Sequence, residues 1–475
     1  MSPSKWFASA LAAALVIAAA QPAGSQTLYE GARLITGDGS VIENSAFFVR
    51  DNLFMQVGRK GEIPLPAGGT RVDLTGKTVM PALVDLHGHL GFQDIANGKM
   101  SKEMFTRENL IDHLQRFAYN GVGAVVGVGD LVDRSDMKGG RTGWGDVPLR
   151  VRDKVVPGAA MYRTAGTGMA WPGSGAQGDP SRVDVAYPVT TPAEARAAVD
   201  DYIKMKPVFI KIWVDDRDGA KKTLTPELIN AIASEAHKFN VPVAVHNVTL
   251  ANAKVLMRAG VEGWLHVPVR QGEIADNEIL GIVKERIARG DRPVMWITPA
   301  LITTWMNTQG GAMRPVWLDD PLLTSAYSRS DIDKFWSDPL KKMTPMQVAK
   351  AKEAFASDAR SALLLRAAGM KIVGGTDTGQ TRHLMGYFNQ LDLESQVAMG
   401  LTPMEAIVGA TSVGARIAGF NTGLVAAGRQ ADFVVLNANP LDSISNTRKI
   451  DRVYLRGSEV PRAEFAKRWR AKFKP

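Results

Sequence analysis

The chain has 475 residues, 45% of them apolar and 22% charged, an ordinary globular composition that is long enough to bury a large core. It contains no cysteine, which excludes disulfides and leaves any bound metal to nitrogen and oxygen ligands. The formal charge is +9, but much of the excess gathers near the end in Arg462, Lys467, Arg468, Arg470, Lys472 and Lys474. With no interleaved aromatic platform or recognition-helix motif, that cluster reads as a solvated terminal helix and not as a nucleic-acid site.

Residues 1–25 have the layout of a secretory signal: Lys5, an apolar run over Trp6–Ala20 rich in Ala, Leu, Val and Ile, then Ala23-Gly24-Ser25. The run is shorter than the roughly 20 residues that span a bilayer, and an uncleaved anchor is the alternative. No later segment is long and apolar enough to cross a membrane. The mature chain is therefore expected in the periplasm or outside the cell.

From residue 26 to 78 short β-type runs alternate with turn residues, as in Ala32–Ile35, Ala46–Val49 and Phe54–Val57, punctuated by Gly37-Asp38-Gly39. The same texture returns over 421–475, in Ala431–Leu436 and Arg452–Gly457. Two β-rich ends around a different middle imply one small discontinuous β-sandwich domain.

The middle, residues 79–420, alternates apolar strand-like runs with amphipathic helices, the pattern of a parallel sheet. Candidate strands are Val79–Leu86, Gly123–Val128, Val155–Met161, Phe209–Val214, Val241–His246, Gly263–His266, Met295–Thr298 and Ile372–Asp377. Eight such strands predict an α/β fold of the (β/α)8 TIM-barrel type. Helix starts are marked by capping boxes at Thr191-Pro192-Ala193-Glu194, Thr344-Pro345-Met346-Gln347 and Thr402-Pro403-Met404-Glu405. An open doubly wound sheet is the competing fold, but no Gly-x-Gly-x-x-Gly turn follows the first strand.

The chemistry gathers where these strands end. Val79–Leu86 runs into His87-Gly88-His89, and residues two apart in an extended chain face the same way, so both imidazoles can reach one ion, with Gly88 leaving room for it. Only seven histidines occur in the chain, and His246 and His266 each close another apolar strand. Asp377 closes Ile372–Thr376, and a helix-capping role is its alternative. Lys211 lies among Phe209, Ile210, Ile212 and Trp213, which place its amine inside. A buried ammonium must be neutralised, paired or modified, so Lys211 is either an ion-paired core lysine or a carbamylated, metal-bridging one. His113 and His237 sit in helical patterns and read as surface residues. Arg382 and His383 lie on the loop beyond Asp377, where substrate contact and plain solvation are both open. The long segment over 304–345, with Trp305, Trp317 and Trp336 beside Met306, Met313 and Met343, is either an apolar lid or a local core.

In this order, His-x-His, Lys, His, His and Asp, the residues resemble those of the amidohydrolase superfamily, especially its exported imidazolonepropionase-like and Xaa-Pro-dipeptidase-like members. The similarity runs from Asp73–Pro81 to Gly428–Leu436. It implies that His87, His89 and Asp377 hold one divalent metal, His246 and His266 a second, and an N6-carboxylated Lys211 bridges them, with zinc the usual ion. Two such ions lower the pKa of a bridging water, so that hydroxide is available at neutral pH. Asp377 would accept its proton and pass it to the leaving amine. The implied activity is hydrolysis of an amide-type C–N bond in a small molecule such as a dipeptide, N-acyl amino acid or carbamate. Esterase, lactonase or phosphotriesterase activity at the same centre is the second reading, and a non-catalytic metal-binding protein the third; a homo-oligomer is left open. His246-Asn247-Val248 and Leu265-His266-Val267 depart from the superfamily's common His-Ala and Glu-His-Gly runs. Neither supplies the glutamate that deaminases place after these histidines.

Overall fold

The computed structural model describes residues 26–95, 98–130, 147–176, 185–270, 272–290, 294–379 and 383–472. The expected signal, residues 1–25, lies outside the described residues. No helix among the described residues is long and apolar enough to cross a membrane.

Both ends of the chain build β-structure together. A six-stranded sheet interleaves N-terminal strands with C-terminal ones: Phe433–Leu436 runs antiparallel to Thr78–Pro81, which in turn pairs with Arg33–Ile35. A four-stranded sheet, with Gln26–Glu30 and Ser45–Arg50 at its centre, contributes Tyr29 and Phe47 to a buried aromatic cluster shared with Phe433 and Tyr454 of the six-stranded sheet. Tyr29 stacks on Phe47 at 5.0 Å, and Phe433 on Tyr454 at 4.6 Å. The four-stranded sheet is apolar on both faces, with Tyr29, Phe47 and Val49 in this cluster and Leu28, Ala46 and Phe48 packed with Ile63 on the other side.

The middle of the chain is α/β, and its strands run parallel. One sheet orders Met161–Thr164, Val122–Gly127 and Leu83–Gly88. The other includes Ile210–Trp213, Val243–His246, Gly263–Leu265, Trp296–Thr298 and Lys371–Ile372 in sequence order. Hydrogen bonds also cross between the two: Leu86 N–H donates to Gly374 at 3.0 Å and Asp377 N–H to His87 at 2.7 Å, while Val208 N–H donates to Thr164 at 3.1 Å on the far edge.

Three expected strands differ in extent by more than two residues, and the last, Ile372–Asp377, is regular only over Lys371–Ile372, beyond which the chain to Asp377 is irregular backbone. The run Val79–Leu86 divides, because Pro81 offers no N–H and the hydrogen bonding changes partners at Ala82: its N–H goes to Asp432, and that of Leu83 to Gly121. The third strand is Met161–Thr164, not Val155–Met161. Pro157-Gly158 makes a turn there, with Gly158 at φ +67°, and leaves Val155 exposed.

The helices follow their signals. Thr191, Thr344 and Thr402 each close a capping box at the start of Pro192–Lys204, Pro345–Ala367 and Pro403–Val408. In the long segment before Thr344, Met306, Trp317 and Trp336 are buried in one cluster with Tyr387, Phe388 and Leu391, whereas Met313 is 85% exposed. The segment therefore packs as part of a core. The basic terminal helix Arg462–Arg470 is likewise anchored: Trp469 is fully buried and its Nε1–H donates to Asp112 at 2.8 Å.

Candidate metal centre

His87 is the next-to-last residue of the strand Leu83–Gly88 and His89 lies just beyond it, so both emerge at the C-terminal edge of their parallel sheet. Asp377 lies across the seam. Its Oδ1 is 2.8 Å from His89 Nε2 and 3.3 Å from His87 Nε2. His266, the residue after Gly263–Leu265, completes a group in which one ligand atom each from His87, His266 and Asp377 lies within 4.8 Å of the others. His246 stands at the end of the neighbouring strand, its ring 4.7 Å from that of His266 at 89°. Lys211 is 1% exposed, with Nζ 5.0 Å from the Trp213 ring, and its charge acts on both His87 and His246. Five of the residues singled out in the sequence thus come together at the C-terminal ends of strands from the two parallel sheets, and Lys211 lies on Ile210–Trp213 close enough for its charge to act on them.

Their protonation states suit ligation. Burial holds the His87 and His266 imidazoles well below the ordinary histidine range, and it lowers His246 too. Burial works to raise the Asp377 carboxyl, but His87, His89 and His266 hold it well below the usual carboxylate range. Neutral imidazoles and an ionised carboxylate are the forms that bind a cation. The nitrogens are also oriented: His89 Nδ1 is engaged by the Val128 carbonyl, which leaves Nε2 as the lone-pair atom facing Asp377. His266 keeps a buried ring nitrogen, Nδ1, without a hydrogen-bond partner among the described residues. This nitrogen- and oxygen-rich donor set fits a divalent metal of the zinc type.

The backbone is shaped for the same purpose. His266 and Asp377 have φ of 151° and 54°, unusual for residues with a side chain, and such conformations concentrate at functional sites. Gly379, at φ +115°, sits where a Cβ would lie 1.7 Å from the His89 carbonyl oxygen, so only glycine lets the two loops meet. Gly88 has another role than the one expected. A Cβ on it would point at Leu90 and Val125, both at 3.4 Å, so it faces away from the histidines and makes no room for an ion.

Beneath the ligands lie residues that sequence reasoning missed. Asp85, fully buried, accepts hydrogen bonds from His87 N–H at 2.8 Å, Thr376 Oγ1 at 2.7 Å and Asn389 Nδ2 at 2.8 Å. Asp215 Oδ2 lies 3.0 Å from His246 Nε2, and that hydrogen bond, opposed by burial, is the main cause holding its carboxyl at about 2. The one available signal for Asp85 was its parity with His87 on the same strand face.

The remaining candidates fall differently. Arg382 lies outside the described residues. His383 is half-buried: its ring lies 4.9 Å from Phe388, burial lowers it to about 4, and it lines a small cavity with Gln93, Tyr327 and Phe335. His113, expected at the surface, is fully buried, with Nδ1 accepting from Gly91 N–H and Nε2 bonded to the Gln93 carbonyl, each at 3.0 Å. Its helix packs that face on the loop after His89, an inward side that a polar residue disguises. His237 is half-buried, 2.7 Å from Glu262.

Residues 78–460 match the amidohydrolase family. The chain belongs to that family. It is 24% identical over 470 residues to the ochratoxinase of Aspergillus niger, covering 90% of this chain and 85% of that one. Among solved structures it resembles a putative prolidase from Bifidobacterium longum at 25% identity and a TM-score of 0.68, covering 95% of this chain and 100% of that one. It also shares its fold with a Xaa-Pro dipeptidase at 23% identity and a TM-score of 0.67, over 92% of this chain and 99% of that one. As an amidohydrolase it is a hydrolase acting on C–N bonds of small molecules, in a family that generally uses a divalent metal in its active site.

Proposed function

We propose that this amidohydrolase cleaves an amide-type bond at a binuclear zinc centre in which His87, His89 and Asp377 would hold one ion, His246 and His266 the other, and an N6-carboxylated Lys211 would bridge them. The observation that carries the reading is the approach of His87 and His89 to a single Asp377 oxygen, with His266 in the same group. When bound, the ions would supply Lewis acidity toward a carbonyl oxygen and a water of lowered pKa. Asp377, ionised and placed between the histidines, takes the proton of the attacking water and returns it to the leaving nitrogen. Lys211 is buried, and addition of carbon dioxide to its neutral amine, with loss of a proton, would give an anionic carbamate able to pair with bound cations.

Relatives that are an ochratoxinase and a Xaa-Pro dipeptidase favour a dipeptide, N-acyl amino acid or related amide as substrate. His383, at the edge of the cavity with Gln93 and Tyr327, is the side chain best placed to contact it; Arg382 joins it as a neighbour in sequence. We also read the two parallel sheets as one closed (β/α)8 barrel and the flanking sheets as a discontinuous β-sandwich. The hydrogen bonds of Leu86 to Gly374 and of Val208 to Thr164 support closure at both seams. Residues 1–25 are read as an export signal, from the apolar run Trp6–Ala20.

Metal analysis of the purified protein together with hydrolysis of a panel of dipeptides, N-acyl amino acids, carbamates and esters tests the proposal. Two equivalents of zinc are expected, with amide cleavage that falls about 10²–10⁴-fold in Asp377→Asn and loss of one equivalent in Lys211→Ala. An active protein without stoichiometric metal, or undiminished hydrolysis in Lys211→Ala, overturns it.

A further inference from the structure

The strand that carries Lys211 ends at Trp213, and Asp215 follows it toward the neighbouring strand that ends in His246. The two strands are paired in register, Trp213 opposite His246. Asp215 is therefore held by the sheet itself, two residues beyond the rung that His246 occupies.

The Asp215 carboxylate is 9% exposed and fully engaged. Oδ1 accepts the backbone N–H of Arg217 at 2.9 Å, and Oδ2 lies 3.3 Å from Arg217 Nε and 3.0 Å from His246 Nε2. A carboxylate paired with a guanidinium is ionised and can only accept hydrogen bonds. The proton between Asp215 and His246 thus belongs to Nε2 of the imidazole. A neutral imidazole carries one N–H, so the lone pair lies on Nδ1.

We infer that Asp215 is a positioning residue that selects the Nε2–H tautomer of His246 and thereby makes Nδ1 its metal-binding atom. The inference rests on the binuclear reading above. It gives the two sides of the centre opposite polarity: His89 has Nδ1 engaged by the Val128 carbonyl and presents Nε2, whereas His246 has Nε2 engaged by Asp215 and presents Nδ1. The carboxylate also orients the ring, which stands at 89° to that of His266. Arg217, half-exposed, holds the carboxylate from the solvent side. Outer partners of this kind typically change metal affinity by about 10–100-fold.

The test is a zinc titration of the full-length protein against a competing chelator, comparing wild type with Asp215→Ala, Asp215→Asn and Asp215→Glu, with thermal melts on each. The expected result is two equivalents in wild type, and in Asp215→Ala an unchanged first equivalent with a second weakened by about 10–100-fold. Asp215→Glu recovers part of that loss, and Asp215→Asn, whose amide can also donate to the ring, recovers less. Should Asp215→Ala fail to fold, the contrast between the Glu and Asn variants still decides. Two equivalents bound by Asp215→Ala or Asp215→Asn with wild-type affinity would overturn the role of Asp215 and leave the binuclear centre standing. Equal weakening of both equivalents with a lowered melting temperature would also overturn it, as a merely structural effect. Fewer than two equivalents in wild type would instead overturn the binuclear reading, and this inference with it.

Discussion

The Asp85 carboxylate accepts the Thr376 hydroxyl at 2.7 Å, tying the strand of His87 to the segment that carries Asp377. The same carboxylate takes the His87 N–H and the Asn389 amide, so one buried group fixes both sides of the seam where the ligands meet. Removing it leaves four donors without an acceptor, the Thr376 N–H at 3.3 Å among them, each at about 1–3 kcal/mol. Asp85→Ala is expected to lose about 3 kcal/mol or more and to retain less zinc. Asp85→Asn should resemble it, because the new amide hydrogens would face donors. A melting temperature and zinc content in Asp85→Asn equal to wild type would refute this account.

His113 makes acid stability a second measurable consequence. Burial lowers its imidazole to about 4, with Asp112 opposing, against about 6.5 in the unfolded chain. A histidine with a depressed folded pKa stabilises fully above the unfolded value and loses that contribution as pH falls through the folded one. Wild type should therefore lose roughly 3 kcal/mol from this site between about pH 6.5 and 4. His113→Gln cannot take up the proton, so urea denaturation of metal-free protein at pH 7, 5.5 and 4.5 should show the gap between variant and wild type closing toward acid. A gap independent of pH would remove His113 as the cause.

Export is checked at the chain's first strand. Gln26–Glu30 pairs along its whole length with Ser45–Arg50, and it starts directly after Ala23-Gly24-Ser25. Cleavage after this small-residue cluster would leave the sheet intact. Expression of the full chain in a Gram-negative host should yield a periplasmic protein whose N-terminus, by intact mass, lies near Gln26, and deletion of residues 2–25 should keep it in the cytoplasm. Mature protein that retains residues 1–25 would contradict the assignment.

The capping boxes at Thr191, Thr344 and Thr402 were legible because a helix start is a local hydrogen-bond problem. His87, His246, His266 and Asp377 were legible because apolar runs stop at them. The break at Pro81 was not, since the partner that captures Ala82 is Asp432, far along the chain. Nor was the contact of Asp215 with His246, which exists only because two parallel strands are neighbours in one register. His113 was misread because a helix shows polarity but not whether a loop covers it: its ring meets Gly91 and Gln93, whose backbone groups supply the polar partners a buried imidazole needs.

The segment before Thr344 offers the last prediction. Trp317 is 3% exposed, lies 5.9 Å from Phe335 and 6.4 Å from Tyr387, and receives the Tyr387 hydroxyl on its carbonyl at 3.0 Å. A moving cover would leave such a ring weakly held, whereas a core ring is costly to truncate. Trp317→Ala is expected to destabilise by about 3–5 kcal/mol, while Met313→Ser, at an exposed position, stays within about 0.5 kcal/mol of wild type. Thermal melts alongside KM separate the roles. A core predicts a large fall in melting temperature for Trp317→Ala alone, and an unchanged melting temperature with an altered KM would show that the segment works as a lid.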